Sequence, residues 1–159
     1  MILQQQRRLL AGAQPRSFAG LMGLYESNFR RFVRMAPEID LPFDAAVSRS
    51  SADRDLYLRV LERCKYTTTV HLTYWFDGEI DGQADPDLHI RLYRDAQLAE
   101  AVHCRTPSRY AALPNAPGHQ PPLHSQWSRN LLLNKWLAFC LQQGHGFSTA
   151  HRPRRRAQA

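Results

Sequence analysis

From Leu56 to Tyr93 the apolar side chains recur at every second position, and no other feature limits the possible folds so strongly. Leu56, Leu58 and Val60 alternate with Tyr57, Arg59 and Leu61. Val70, Leu72 and Tyr74 alternate with Thr69, His71, Thr73 and Trp75, and Leu88, Ile90 and Leu92 alternate with His89, Arg91 and Tyr93. A period of two puts successive side chains on opposite faces of a strand, so these runs read as half-buried antiparallel strands. The turn "RDAQ" at 94 to 97 leads into a fourth strand, "LAEAVHCR". Residues 77 to 87, "DGEIDGQADPD", are dense in turn formers and read as a flexible, solvated connection. Their carboxylate spacing and glycine placement do not match a calcium loop.

On either side of this block the period is helical. Ser17 is a good N-cap for "FAGLMGLYESNFRRFVRM", where Phe18, Leu21, Met22, Tyr25, Phe29 and Phe32 form one apolar face and Pro37 ends the helix. Residues 106 to 123 hold five prolines and read as a crossover without regular structure. The last element, "SQWSRNLLLNKWLAFCLQQG", carries Trp127, Leu131, Leu132, Trp136, Phe139 and Cys140 at helical spacing, with Gly144 as its stop. The expected fold is α+β: an N-terminal helix, an antiparallel sheet of about four strands, a proline-rich crossover and a C-terminal amphipathic helix packed on the sheet. A chain of 159 residues fits one domain. We place that domain at 17–147, between a flexible N-terminus at 1–16 and a basic disordered tail at 148–159.

Charge and cysteine content bound the setting. The formal charge is +7, but four arginines lie in "HRPRRRAQA" at the C-terminus, and without them the balance is an ordinary +3. Cys64, Cys104 and Cys140 are odd in number and contain no CxxC pair, so they read as small buried hydrophobes in a reducing compartment. The opening residues lack a signal peptide's apolar core, and no run of 18 apolar residues exists to span a membrane. A cytoplasmic location, with no membrane partner, is the expectation.

The polar face of the strands carries the candidate chemistry. Tyr57, Arg59, Arg63, Thr69, His71, Thr73, Trp75, His89, Arg91 and Tyr93, with His103 and Arg105 as further candidates, would make a basic, aromatic surface suited to phosphate or nucleic acid unless a helix covers it. His71 and His89 share this face. His103 joins them only if Leu98, Val102 and Cys104 point inward, which would also turn Glu100 inward and expose Ala99 and Ala101. A zinc site would need adjacent strands in matched register and a carboxylate nearby, and neither is legible in the sequence. The expectation is therefore no metal ion and no cofactor. Nucleophilic catalysis is disfavoured as well, because Cys104 and His103 are strand neighbours and point to opposite faces. Phosphate-binding glycine loops, GxSxG and HExxH are absent from the sequence.

Five ordered blocks carry a resemblance: "YESNF" (25–29), "ERCKYTT" (62–68), "PDLHIRLYRDAQLAEA" (86–101), "RYAALPN" (109–115) and "NLLLNKWLAFCLQQG" (130–144). Together they resemble the YqiB-like family of small proteobacterial proteins, a domain of unknown function. The family's shared polar positions fall here on Glu26, Asn28, Glu62, Lys65, Tyr66, Thr67, Arg91, Tyr93, Asp95, Glu100, Arg109, Tyr110, Asn115 and Asn130. The three sheet histidines are not among them. The chain departs from the family pattern at "LHSQWS" (123–128), where an acidic and lysine pair would precede the last helix. No catalytic residue, cofactor or substrate comes with the resemblance.

The favoured function is a non-catalytic binding or regulatory module, its partner a protein or a phosphorylated small molecule. Its candidate contacts are Glu62, Lys65, Tyr66, Arg91, Tyr93, Asp95, Glu100, Arg109, Tyr110 and Asn115. One alternative is a small enzyme acting on a nucleotide or phosphorylated metabolite, with Glu62 or Glu100 as acid or base. The other is a nucleic-acid-binding protein that uses the basic face and the tail.

Overall fold

The computed structural model describes residues 17–74, 86–105 and 122–148. Helix α1 (Phe18–Met35) is followed by strands β1 (Ala45–Ser48), β2 (Leu56–Arg63), β3 (Thr67–Tyr74), β4 (Asp87–Tyr93) and β5 (Leu98–Arg105), then helix α2 (Pro122–Gln142). The strands form one antiparallel sheet in sequence order, β1-β2-β3-β4-β5. The α+β architecture matches the expectation, with one strand more. Strand β1, "AAVS", is four residues long and has no apolar alternation to announce it. It gains its identity only by pairing with Leu56 to Arg59 of β2. The proline-rich crossover, the basic tail and the "DGEIDGQAD" stretch fall outside the described residues, apart from Pro122, Leu123 and Ser148 at the margins.

Both helix ends are built as the sequence implies. The Ser17 hydroxyl accepts from the Gly20 N–H at 3.0 Å. At the other end Gly144 has φ 84°, a left-handed conformation that a side chain would strain. The His145 N–H then reaches the Cys140 carbonyl (3.0 Å) and the Gly144 N–H reaches Leu141 (3.1 Å), closing the last turn. Proline at the first position of α2 costs no hydrogen bond, since that N–H has no partner inside the helix.

One face of the sheet, formed by Leu56, Leu58, Val70, Leu72, Leu88, Ile90, Leu92, Ala99 and Ala101, is wholly or almost wholly buried. Phe32 and Met35 of α1 and Leu133, Trp136, Leu137 and Cys140 of α2 complete this core. Burial lifts the Cys140 thiol to about 12, so this cysteine is an inert core residue. Cys64 corrects the same expectation, since it lies exposed between β2 and β3. The side chain of Cys104 lies outside the described residues. The helix stripes are also rotated from the expected ones. Phe18 is 69% exposed, and Leu132 and Phe139 face outward, while Leu24, Leu133 and Leu137 are buried in their place. With apolar residues on nearly every side of both helices, spacing alone does not decide which ones meet the sheet.

A polar ladder fastens α1, α2 and β5 together. Among the described residues β5 is an edge strand, and the Ala101 N–H donates to Asn130 Oδ1 of α2 at 2.8 Å. Asn28 Nδ2 donates to both the carbonyl and the side-chain oxygen of Asn130 (3.3 and 3.4 Å), and Asn134 Nδ2 donates to Asn28 Oδ1 (3.0 Å). Asn28 and Asn130 are fully buried, so every broken bond there leaves a dry polar group. Asn130→Ala should therefore lose about 2–4 kcal/mol in equilibrium urea unfolding. A loss below about 0.5 kcal/mol, the range of ordinary surface changes, would remove Asn130 from this role.

Candidate functional site

Alternation places Tyr57 and Arg59 of β2, Thr69, His71 and Thr73 of β3, and Asp87, His89, Arg91 and Tyr93 of β4 on the face opposite the core. Both described helices pack on the core face, so among the described residues no helix lies over this one. Register aligns its side chains into rows. One row runs Arg59, His71, His89 and His103 across four strands. The next runs Glu62, Thr69, Arg91 and Glu100.

Two irregularities produce these rows. In β5 the register shifts between the partners of His89 and Ile90: His103 faces His89, Ala101 faces Ile90, and Val102 is the extra residue. Ala99 and Ala101 therefore point to the core while Glu100 and His103 both point outward. Strict alternation treats those placements as exclusive; a single bulge permits both. A second shift, between Val60 and Glu62, leaves Leu61 extra in β2. It removes Arg63 from the expected basic face. The Arg63 guanidinium instead donates to the carbonyls of Ile39 (2.8 Å), Leu41 (3.0 Å) and Phe43 (3.3 Å), and holds the segment after α1.

The histidine row is tight. The ring centroids of His71 and His89 are 4.9 Å apart and those of His89 and His103 are 5.4 Å apart, both edge to face. His71 Nε2 is bonded to Asp87 Oδ1. The sequence places Asp87 in a solvated loop, whereas it is the first residue of β4 and shares the histidine face. Both grounds for discounting a metal there, unmatched register and a missing carboxylate, are thus overturned. His89 titrates below the ordinary range because burial disfavours its charged form, with His71 and His103 adding repulsion and Asp87 offsetting part of it.

In the neighbouring row Glu100 is already committed. Its Oε1 accepts from the Tyr25 hydroxyl (3.3 Å) and its Oε2 from the Tyr93 hydroxyl (2.9 Å). Burial, reinforced by the Glu100 charge, pushes the Tyr25 phenol upward, and burial with the bond to Glu100 raises Tyr93 against an opposing effect of Arg91. A carboxylate holding two phenols fastens α1 to the sheet edge and is poorly placed to act as a base. Glu62 lies three strands away, roughly 14 Å at ordinary strand spacing, so the two candidate acid/base residues do not form a pair.

The remaining expected site residues divide by position. Lys65 and Tyr66 occupy the turn between β2 and β3, with the Lys65 ammonium 5.2 Å from the Tyr66 ring centre. Asp95 is exposed in the turn between β4 and β5. Arg94, which the sequence does not single out, joins these turns: its N–H donates to the Tyr66 carbonyl (3.0 Å), and its guanidinium reaches the carbonyls of Cys64 and Lys65 and the carboxylate of Asp40. Arg109, Tyr110, Asn115 and Trp75 lie outside the described residues, as do the side chains of Cys104 and Arg105.

A second polar group also escapes sequence reasoning. Ser48 Oγ lies 3.0 Å from His145 Nδ1, His145 Nε2 lies 3.0 Å from Asp53 Oδ2, and the Tyr74 hydroxyl donates to the same Asp53 oxygen at 2.9 Å. These residue types invite a comparison with a nucleophilic triad. Ser48 and His145, however, are buried, and Ser48 Oγ also accepts from the Gly146 N–H at 2.9 Å. The group pins the chain after α2 to β1. No local motif could have revealed it, because His145 lies more than 90 residues from Ser48 and Asp53 in sequence. Burial alone would lift the Asp53 carboxyl, but bonds from the Arg54 backbone, Tyr74 and His145 outweigh it and hold the group below its ordinary range. A depressed folded-state value contributes stability above the unfolded value of about 3.9, and that stability is lost as pH falls through the folded value. Urea midpoints should therefore drop less steeply below about pH 4 in Asp53→Asn than in the parent chain. Parallel acid profiles would show that Asp53 contributes nothing to acid lability.

Residues 31–146 match the family model described as "Protein of unknown function (DUF1249)". The chain is 31% identical over 137 residues to the uncharacterized protein YqiB of Escherichia coli strain K12, an alignment covering 80% of this chain and 90% of that protein. The YqiB proteins of Escherichia coli O6:H1 and O157:H7 give the same identity and coverage. No solved structure matches the chain. No described helix is long and apolar enough to cross a membrane.

Proposed function

Since the chain belongs to the DUF1249 family, which brings no activity with it, we propose from the sheet face itself that the protein is a non-catalytic binding module for a phosphorylated small molecule. The observation that carries this reading is the pair of rows on the open face. Arg59 and Arg91 stand diagonally across β3, with the Thr69 hydroxyl and the His71 and His89 imidazoles between and beside them. Guanidinium groups bond phosphate oxygens in pairs, hydroxyls and imidazoles add further donors, and Tyr57 and Tyr93 at the margins offer ring surface to a base or sugar. The engagement of Glu100 by two tyrosines, and its distance from Glu62, favour binding over acid–base chemistry.

The test is a thermal-shift and calorimetric screen of nucleoside mono-, di- and triphosphates and inorganic polyphosphate. One class should bind saturably and weaken with added salt, as exposed charge pairs do. Arg59→Ala and Arg91→Ala should each weaken it roughly 10-fold or more, the equivalent of one charge-assisted hydrogen bond of about 1.5–3 kcal/mol, while leaving ligand-free unfolding almost unchanged. Failure of every anion to bind, or equal binding by both arginine variants, would overturn the reading. Retention on RNA that survives in those variants but is lost when the chain is cut after residue 148 would assign nucleic-acid binding to the tail instead.

A further inference from the structure

The geometry points to a divalent transition-metal site on the open sheet face, which we propose is formed by His71, Asp87 and His89. Two imidazole nitrogens and one carboxylate oxygen, one from each residue, lie within 4.8 Å of one another. Ligand atoms around a tetrahedral zinc at about 2.0–2.2 Å stand roughly 3.3–3.5 Å apart, so the three donors need only side-chain rotation to close on an ion. The backbone is already placed. His71 and His89 are direct partners across an antiparallel pair, and Asp87 sits two residues before His89 on the same face.

Donor type selects the ion. Two imidazoles with one carboxylate suit zinc, nickel, copper or cobalt and are poor for magnesium or calcium, which take oxygen donors. Asp87 supplies the negative charge that offsets the ion, and its present bond to His71 Nε2 already brings two of the donors together, to be replaced by the ion between them. Partial burial of all three residues limits competition from bulk water, yet leaves a coordination position facing out of the sheet. His103 lies next along the row, exposed, its ring 5.4 Å from that of His89. Arg59 stands opposite His71 on β2 with its side chain exposed, where solvent screens its charge. The site shares His71 and His89 with the proposed anion surface but needs neither Arg59 nor Arg91 as ligand, so the arginine variants separate the two readings.

Zinc, nickel and cobalt ions, added singly to chelator-treated full-length protein, provide the test by isothermal titration calorimetry, with visible absorption as a second readout for cobalt. One ion per chain should bind, and His71→Gln and His89→Gln should each weaken binding by at least tenfold, with Asp87→Asn weakening it about 10- to 100-fold. His124→Gln, in α2 on the opposite side of the sheet, should bind like the parent, and so should Arg59→Ala and Arg91→Ala, which separates this result from the anion test. Thermal unfolding in chelator, expected to be similar for the parent and the glutamine variants, distinguishes a lost site from a lost fold. Undiminished stoichiometry and affinity in both His71→Gln and His89→Gln, or no binding by the folded parent, overturns the proposal.

Discussion

The hydrogen bond from the Ala101 N–H to Asn130 is the contact on which the arrangement of both sheet faces depends. An edge strand with a bulge has backbone groups that its neighbour does not satisfy, and burying them beneath a helix costs about 1–3 kcal/mol each unless something bonds them. Asn130 does so from α2, and Arg129 Nε approaches the Ala101 carbonyl at 3.4 Å. With Ala101 held inward, Ala99 must also face the helices. The extra residue Val102 then turns His103 back to the open side. Core packing and the histidine row are consequences of one local defect.

The division of labour between the faces follows from size and charge. Alanines 99 and 101 let α1 and α2 come close to the last strand, where larger side chains would hold them off. Opposite them, residues too polar to bury are aligned by strand pairing into rows whose members stand about one strand spacing apart. Burial and the neighbouring imidazoles favour the uncharged form of His89. Uncharged imidazoles are donors and acceptors at neutral pH and are also the form that takes a metal ion.

Much of the polar character of this chain is structural. Asn28, Asn130 and Asn134 align the helices, Arg63 and Arg94 clamp backbone carbonyls around the first loop and the two turns, and Ser48, Asp53 and His145 hold the chain after α2. Several positions that the family resemblance marks as shared are explained this way. Asn28, Glu100 and Asn130 bond to other parts of the fold, so their retention requires no ligand. Arg91, a shared position on the face that no described helix covers, enters the proposed site together with its cross-strand neighbour Thr69.

The sequence by itself determined the types of both helices and of strands β2 to β5, the helix boundaries at Ser17 and Gly144 and the inward set Leu56, Leu58, Val70, Leu72, Leu88, Ile90 and Leu92. Each of these rests on local physics: a period of two, a capping hydroxyl, or a residue without Cβ where φ is positive. Only the tertiary structure decided that β1 is a strand, that Phe18, Leu132 and Phe139 face out, that Arg63 leaves the basic surface, and that Asp87 joins His71 and His89. The reason is common to all four. Strand pairing, helix rotation and bulges are settled by contacts between residues distant in the chain, and one added residue in a strand reverses every facing beyond it.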